Sequence, residues 1–175
     1  MLIILGGLPG VGKTTLARAL SQHLHATHIR VDTIEQAIKA SGMLKADVGP
    51  AGYMVAYAVA EDNLRGGKMV VADSVNPLKV TRDAWRSVAE RTSSVVVEVE
   101  IVRSDRDDHQ RIVTTRTSDI EGLIPPTWDD VVTREYEAWD RSPHVIDTSF
   151  KTVDESLSEL LEALKPETIR NRSAI

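Results

Sequence analysis

Eight consecutive residues carry the most specific chemical signal in the chain. Gly7-Leu8-Pro9-Gly10-Val11-Gly12-Lys13-Thr14 fits G-x-x-x-x-G-K-[ST] without a gap. Glycines let the backbone curl into a concave nest whose N–H groups converge on one centre. At a helix N-terminus such a nest favours anions, because the dipole and the unpaired donors both face the ligand. Lys13 adds a point charge for the β- and γ-phosphates, and the Thr14 hydroxyl is a ligand for Mg2+. The implied chemistry is binding of a nucleoside triphosphate. Its candidate residues are Gly7, Leu8, Pro9, Gly10, Val11, Gly12, Lys13, Thr14 and Thr15.

Binding a triphosphate does not name a reaction, and two carboxylates narrow it. Asp73 closes the apolar run Met69-Val70-Val71-Ala72. A carboxylate there can hold Mg2+ directly or through water, and it equally suits a cap for the next segment. The following residue is Ser74. Many phosphate-loop ATPases place a Glu there to polarise water, so Ser74 speaks against a machine built for hydrolysis. Asp32 ends a second strand candidate. An acid there can take a proton from an acceptor hydroxyl, or orient it, and it also suits a helix N-cap.

Arginines crowd one later segment: Arg103, Arg106, Arg111 and Arg116. Cationic side chains stabilise the charge spread over a transferring phosphoryl group, and a mobile segment can bring them in while excluding water. Arg111 and Arg116 lie next to a break at Asp119–Pro126 and are the lid candidates. Asp105, Asp107 and Asp108 are competing partners on a solvated face. Tyr53 and Tyr57, four apart, with Met43 and Met54, are candidates for an apolar acceptor pocket or for plain core. Asn76 could hydrogen-bond an acceptor. Trp128 and Trp139 read as packing residues. The histidines show no metal spacing.

These residues need elements to position them. Strand-like runs at Met1–Gly6, Thr27–Asp32, Lys68–Asp73, Ser93–Val102 and His144–Asp147 alternate with helical patterns. The helices read as Lys13–His25, Thr33–Ala40, Pro50–Arg65, Leu78–Arg91, Ser104–Ser118, one capped by Thr127 with Asp130, and Thr152–Leu164. Such alternation predicts an α/β fold with a parallel sheet covered on both faces. Ligands in these folds sit at the carboxyl ends of the strands, so Gly6, Asp32, Asp73 and Arg103 should converge on one sheet edge.

Composition sets outer bounds. The 175 residues are 42% hydrophobic and 27% charged, enough for one ordinary folded domain. A formal net charge of -5 disfavours nucleic acid as a partner. Cysteine is absent, which excludes thiol nucleophiles and thiolate metal sites. No apolar run approaches the ~18 residues of a membrane span, so no membrane partner is expected. A cytoplasmic protein is expected, either a monomer or a homodimer.

With the loop, Asp32, Asp73 and the arginine segment together, the chain resembles the small P-loop kinases. These include adenylate-kinase-like enzymes, gluconate, shikimate and adenylylsulfate kinases, and chloramphenicol phosphotransferase. The resemblance covers about residues 1–165. It implies a three-layer P-loop NTPase fold with a five-stranded parallel sheet in the order 2-3-1-4-5 and a helical lid around residues 104–127. It implies one kinase domain over 1–165, and the polar stretch 166–175 reads separately as a flexible tail. It also implies ATP and Mg2+ as cofactors, with Asp147-Thr148-Ser149 passing near adenine. Lys13, Asp32, Arg111 and Arg116 then become the catalytic candidates, with Thr14 and Asp73 for the metal. Arg116 falls where the family has a lid arginine. The double-Asp signature of gluconate and sulfate kinases is absent, since Arg30-Val31 precede Asp32. The acceptor-side arginine set of shikimate kinase is absent too. The expected activity is transfer of the γ-phosphate of ATP to a hydroxyl of a small molecule. The alternatives are a partner-regulated P-loop ATPase and a polynucleotide 5'-hydroxyl kinase.

Overall fold

A computed structural model describes residues 1–43 and 46–172, with backbone alone at 166–172. Five strands form a single parallel sheet: β1 (Leu2–Gly6), β2 (Thr27–Arg30), β3 (Val70–Asp73), β4 (Val96–Val102) and β5 (His144–Asp147). Their order is β2-β3-β1-β4-β5, as expected from the resemblance. Seven helices are described: α1 (Lys13–Leu24), α2 (Val31–Ala40), α3 (Ala51–Arg65), α4 (Lys79–Arg91), α5 (Arg106–Thr115), α6 (Trp128–Val132) and α7 (Val153–Arg172).

The three layers follow from the two-residue period of the strands. Ile3 and Leu5 of β1 point to one face, where they meet Leu16 and Leu20 of α1 and Leu160 and Leu164 of α7. Leu2 and Ile4 point to the other, against Ala56, Ala60 and Leu64 of α3 and Trp85 and Val88 of α4. This is why β1 reads as an unbroken apolar run: both faces are covered. Register aligns the functional edge, with Leu5 beside Asp73 and Arg30 also beside Asp73.

Several boundaries differ from the sequence expectation. The second strand stops at Arg30, and Asp32 lies in the first turn of α2. Arg30 takes the N-cap position with extended backbone, so Asp32 is no cap; its charge there suits the helix dipole instead. The fourth strand starts at Val96, because Ser93 (φ 51°) is taken up in the turn that ends α4. The arginine-rich helix spans Arg106–Thr115, begun by the Asp105 carboxylate accepting from Asp108 N–H. Thr127 and Asp130 do form a capping box, but α6 has only five residues and ends before Trp139. The last helix continues past Leu164 to Arg172. Positions 173–175 of the expected tail lie outside the described residues.

The segment between α5 and β5 is fastened to the sheet by charged side chains. Arg141 forks onto Glu98 (2.8 Å) and also reaches Asp83 (2.8 Å). Asp119 pairs with Arg18 of α1 and with Arg30 (2.9 Å). Arg82 of α4 is fully buried. Its guanidinium donates to the carbonyls of Asn76 (2.9 Å), Pro77 (3.1 Å), Glu137 (2.7 Å) and Ala138 (3.2 Å). It also lies over the Trp139 ring at 4.3 Å. Trp139 is therefore a packing residue, but against Arg82 rather than within a helix. Arg82→Leu would leave the Asn76, Glu137 and Ala138 carbonyls without this donor, Pro77 keeping the Glu137 N–H, and cost about 3 kcal/mol. The expected result is a clearly lower urea midpoint; an unchanged midpoint would show that Arg82 anchors nothing.

Candidate active site

The glycine-rich turn leaves β1 at Gly6 and enters α1 at Lys13. Two positions show why glycine is required. Gly7 has φ 133°, and an added Cβ would lie 2.1 Å from the Ile101 carbonyl oxygen. Gly10 has φ 86°, and its Cβ would lie 2.5 Å from Val113 of α5. Three carbonyls of the turn each meet a side chain. Leu8 accepts from Lys13 Nζ, Pro9 from His109 Nε2 and Val11 from Thr148 Oγ1, each at 2.8 Å.

Lys13 is buried, and burial lowers its ammonium from an ordinary value of 10.5 to about 8. Asp73 and Asp32 oppose that shift, while Arg116 and Arg134 add to it. The net displacement is worth roughly 3 kcal/mol against the bare cation. The charges around Lys13 thus come from β3, α2, the end of α5 and the stretch after α6. Asp73 is buried at the strand end and uses one oxygen on His28 Nε2 (3.2 Å). Thr14 is half-buried in the first turn of α1, and Thr15 is exposed. Among the described residues Asp32 has neither a hydrogen-bond nor an ion-pair partner. Arg116 follows α5 in extended conformation and is half-buried; burial lowers its pKa, and Asp32 counters this.

Not every expected residue joins this group. Arg111 pairs with Asp108, three residues earlier on the same helix, and its side chain is 63% exposed. Arg103 takes the other oxygen of Asp108. The pair holds Arg111 on the solvent side of α5, whereas Arg116 escapes that helix face because α5 has ended. Asn76 is fully buried: its side chain donates to the Leu5 carbonyl (3.0 Å), and its N–H donates to the Tyr53 hydroxyl (3.2 Å). It is a brace rather than a free acceptor contact. Tyr57 donates to the Thr81 carbonyl and stacks edge-on with Trp85, which makes it core. Met43 and Met54 are exposed, so they line no apolar pocket. Thr148 lines a cleft with Gly12, Thr15, Arg103 and Lys151, on the side where the adenine was expected.

Other neighbours of the site went unread in the sequence. Arg134 acts on Lys13 and on Glu35. Glu35, one turn along α2 from Asp32, has its pKa raised by burial and then by Asp32. The i,i+3 spacing of Asp32 and Glu35 was a usable signal. Gly52 makes room for Glu35, since a Cβ there would lie 2.2 Å from Glu35 Cγ. Nothing in the sequence marks Arg134, His28 or His109, because each meets the site only through the fold.

The sequence pattern of a family described as an AAA domain matches residues 2–121. The chain belongs to this family. The match takes in the phosphate loop, Asp32, Asp73 and Arg116, and ends before Arg134. This AAA-domain chain is 28% identical over 169 residues, 91% of its length, to a protein of Sorangium cellulosum (strain So ce56) named "Probable bifunctional SAT/APS kinase 2". It spans only 27% of that relative. Its fold is that of small P-loop kinases. The APS kinase CysC of Mycobacterium tuberculosis, in complex with AMPPNP and APS, superposes with a TM-score of 0.67 at 19% identity, covering 94% of this chain and 96% of that one. A gluconokinase from Sinorhizobium meliloti 1021 gives 0.66 at 18% identity, covering 98% and 96%.

The lowered Lys13 value carries a pH dependence. The ammonium attracts phosphate only while protonated, and burial makes it release its proton near pH 8. ADP affinity, measured by calorimetry without divalent metal, is therefore expected to fall as pH rises from about 7 to about 9. A flat profile would mean that Lys13 keeps its charge throughout.

Proposed function

We propose that this chain transfers the γ-phosphoryl group of ATP to a hydroxyl of a small molecule. The observation that carries the reading is Asp32: a carboxylate without a partner that shares one electrostatic neighbourhood with Lys13 and Arg116. The acceptor oxygen attacks the γ-phosphorus, the bond to the β–γ bridging oxygen breaks, ADP leaves, and Asp32 takes the hydroxyl proton. The loop N–H groups and Lys13 hold the triphosphate. Arg116, joined by Arg134, stabilises charge on the transferring group. Arg111 is occupied by Asp108 in this arrangement and can contribute only after leaving it.

The residues present fit Mg2+. Asp73 and the Thr14 hydroxyl are hard oxygen donors at adjoining element ends, and Mg2+ in such sites takes one or two protein ligands beside phosphate and water. Among the described residues there is no cluster of three His, Cys, Asp or Glu groups, so the side chains offer no closed cage for another metal. When bound at Asp73 and Thr14, Mg2+ would offset the negative charge of the triphosphate. Relatives named as APS kinase and gluconokinase support a small-molecule acceptor. Ser74 in place of a Glu supports transfer over hydrolysis. The net charge of -5 speaks against a polynucleotide acceptor. No helix among the described residues is long and apolar enough to cross a membrane.

The test is ADP release from Mg2+-ATP against a panel of sugars, sugar acids, nucleosides, adenylylsulfate and hydroxyl-bearing antibiotics. Strong stimulation by one class is expected, and ADP release indifferent to every acceptor would overturn the reading. With the acceptor in hand, Asp32→Asn should lower kcat by about 10²–10⁴-fold while ADP affinity stays within about twofold. Wild-type turnover in that variant would remove Asp32 from the proton transfer.

A further inference from the structure

A nest of inward N–H groups has a geometric corollary. In a planar trans peptide the C=O of one residue and the N–H of the next point in opposite directions. Cis peptides are absent from the described chain. Holding the Pro9 carbonyl outward therefore aims the Gly10 N–H inward, and holding the Val11 carbonyl does the same for the Gly12 N–H. The third held carbonyl, that of Leu8, precedes Pro9, which has no N–H to aim. Its donor, Lys13, is also the group that phosphate would draw away. Leu16 N–H holds the Gly12 carbonyl from within α1 (3.1 Å), and the side-chain bonds that can orient loop donors while a phosphate is present are those from His109 and Thr148.

His109 is the less expected of the two. It sits on α5, a hundred residues from the loop, and is buried at 6% exposure. A carbonyl can only accept, so Nε2 carries a proton and donates it. The Trp128 ring meets the imidazole edge-on at 5.2 Å and keeps it from swinging away. Val113, one turn further along α5, packs directly on Gly10. Burial lowers the His109 pKa, with Arg103, Lys13 and Arg116 pushing the same way against the Pro9 bond. The neutral ring fits that environment. We propose that His109 is a positioning residue for the phosphate loop, acting through the Pro9 carbonyl to keep the Gly10 N–H aimed at the anion. Arg116 directly follows the same helix, so α5 both seats the loop and leads into the cation that the proposed transfer uses. The inference rests on nucleotide binding at the loop and is independent of which acceptor the chain uses.

The experiment compares wild type, His109→Gln and His109→Leu for ADP and pyrophosphate binding by calorimetry, with a thermal melt of each protein. Pyrophosphate reports the loop alone, without base contacts. The Gln amide N–H can reach the same carbonyl; the Leu side chain cannot. His109→Leu should weaken both ligands about tenfold or more, and His109→Gln should restore most of that loss. A folded His109→Leu protein with wild-type affinity for both ligands would overturn the proposal. If His109→Leu does not fold, the nitrogen-15 spectrum of the wild-type imidazole decides. A neutral ring protonated at Nε2, with that proton slow to exchange when ADP is bound, is the expected state; an Nδ1–H tautomer or a charged ring would overturn it. A wild type that binds neither ADP nor pyrophosphate would overturn the nucleotide reading itself, a result distinct from loss in the variant alone.

Discussion

The structure depends on one backbone constraint: a short loop that turns its N–H groups inward must turn its carbonyls outward. Outward carbonyls beside a packed sheet cannot all reach water, and each one left unpaired costs free energy comparable to a lost hydrogen bond. Here the donors come from α1, α5 and the turn after β5. Those elements lie far apart in sequence, Thr148 being 137 residues from the carbonyl it meets, and the loop draws them to one point. Glycine at position 10 belongs to the same constraint, since α5 could not approach a side chain there. Helix α5 is therefore seated directly on the phosphate loop.

Two buried cations show two ways of handling a charge out of water. Arg82 is surrounded by backbone carbonyls and lies over the rings of Trp139 and Tyr136. That arrangement gives four of the five guanidinium N–H groups an acceptor and holds the β3–α4 turn against the chain that follows α6. Lys13 has one carbonyl, with the charges of Asp73 and Asp32 in its surroundings. Burial leaves it under-compensated, and its lowered pKa expresses this. A cation in that condition gains most from an arriving phosphate, whereas a satisfied one would gain little. The same contrast separates the arginines after β4: Arg111 pairs with Asp108, whereas Arg116 is half-buried with Asp32 as the opposing charge that acts on it and Arg30 as a like one.

Much of the fold was legible because the strands announce themselves. Continuous apolar runs such as Leu2–Gly6 and Val70–Asp73 are what a strand covered on both faces must look like. The phosphate loop was legible because its residues are contiguous and their types are dictated by backbone geometry. Boundaries were less so: Asp32 reads as a strand end by hydropathy, yet the helix begins one residue before it. Tyr53 and Tyr57 read equally as pocket or core, and the structure puts Tyr57 in the core. A pair of aromatic rings four residues apart marks a shared helix face, but not whether that face looks into a cleft or into the core.

The sequence by itself determined the anion-binding loop, the parallel α/β sheet and the carboxylates at its edge. These rest on local pattern: residue types at fixed spacing, and periods set by backbone geometry. Only the tertiary structure decided which charges share the space around Lys13. Arg134 and Glu35 join it, Arg111 is held away, and His109 reaches the back of the loop. Electrostatic neighbourhood depends on distance and burial, which arise when separate elements pack, and no spacing along the chain encodes either.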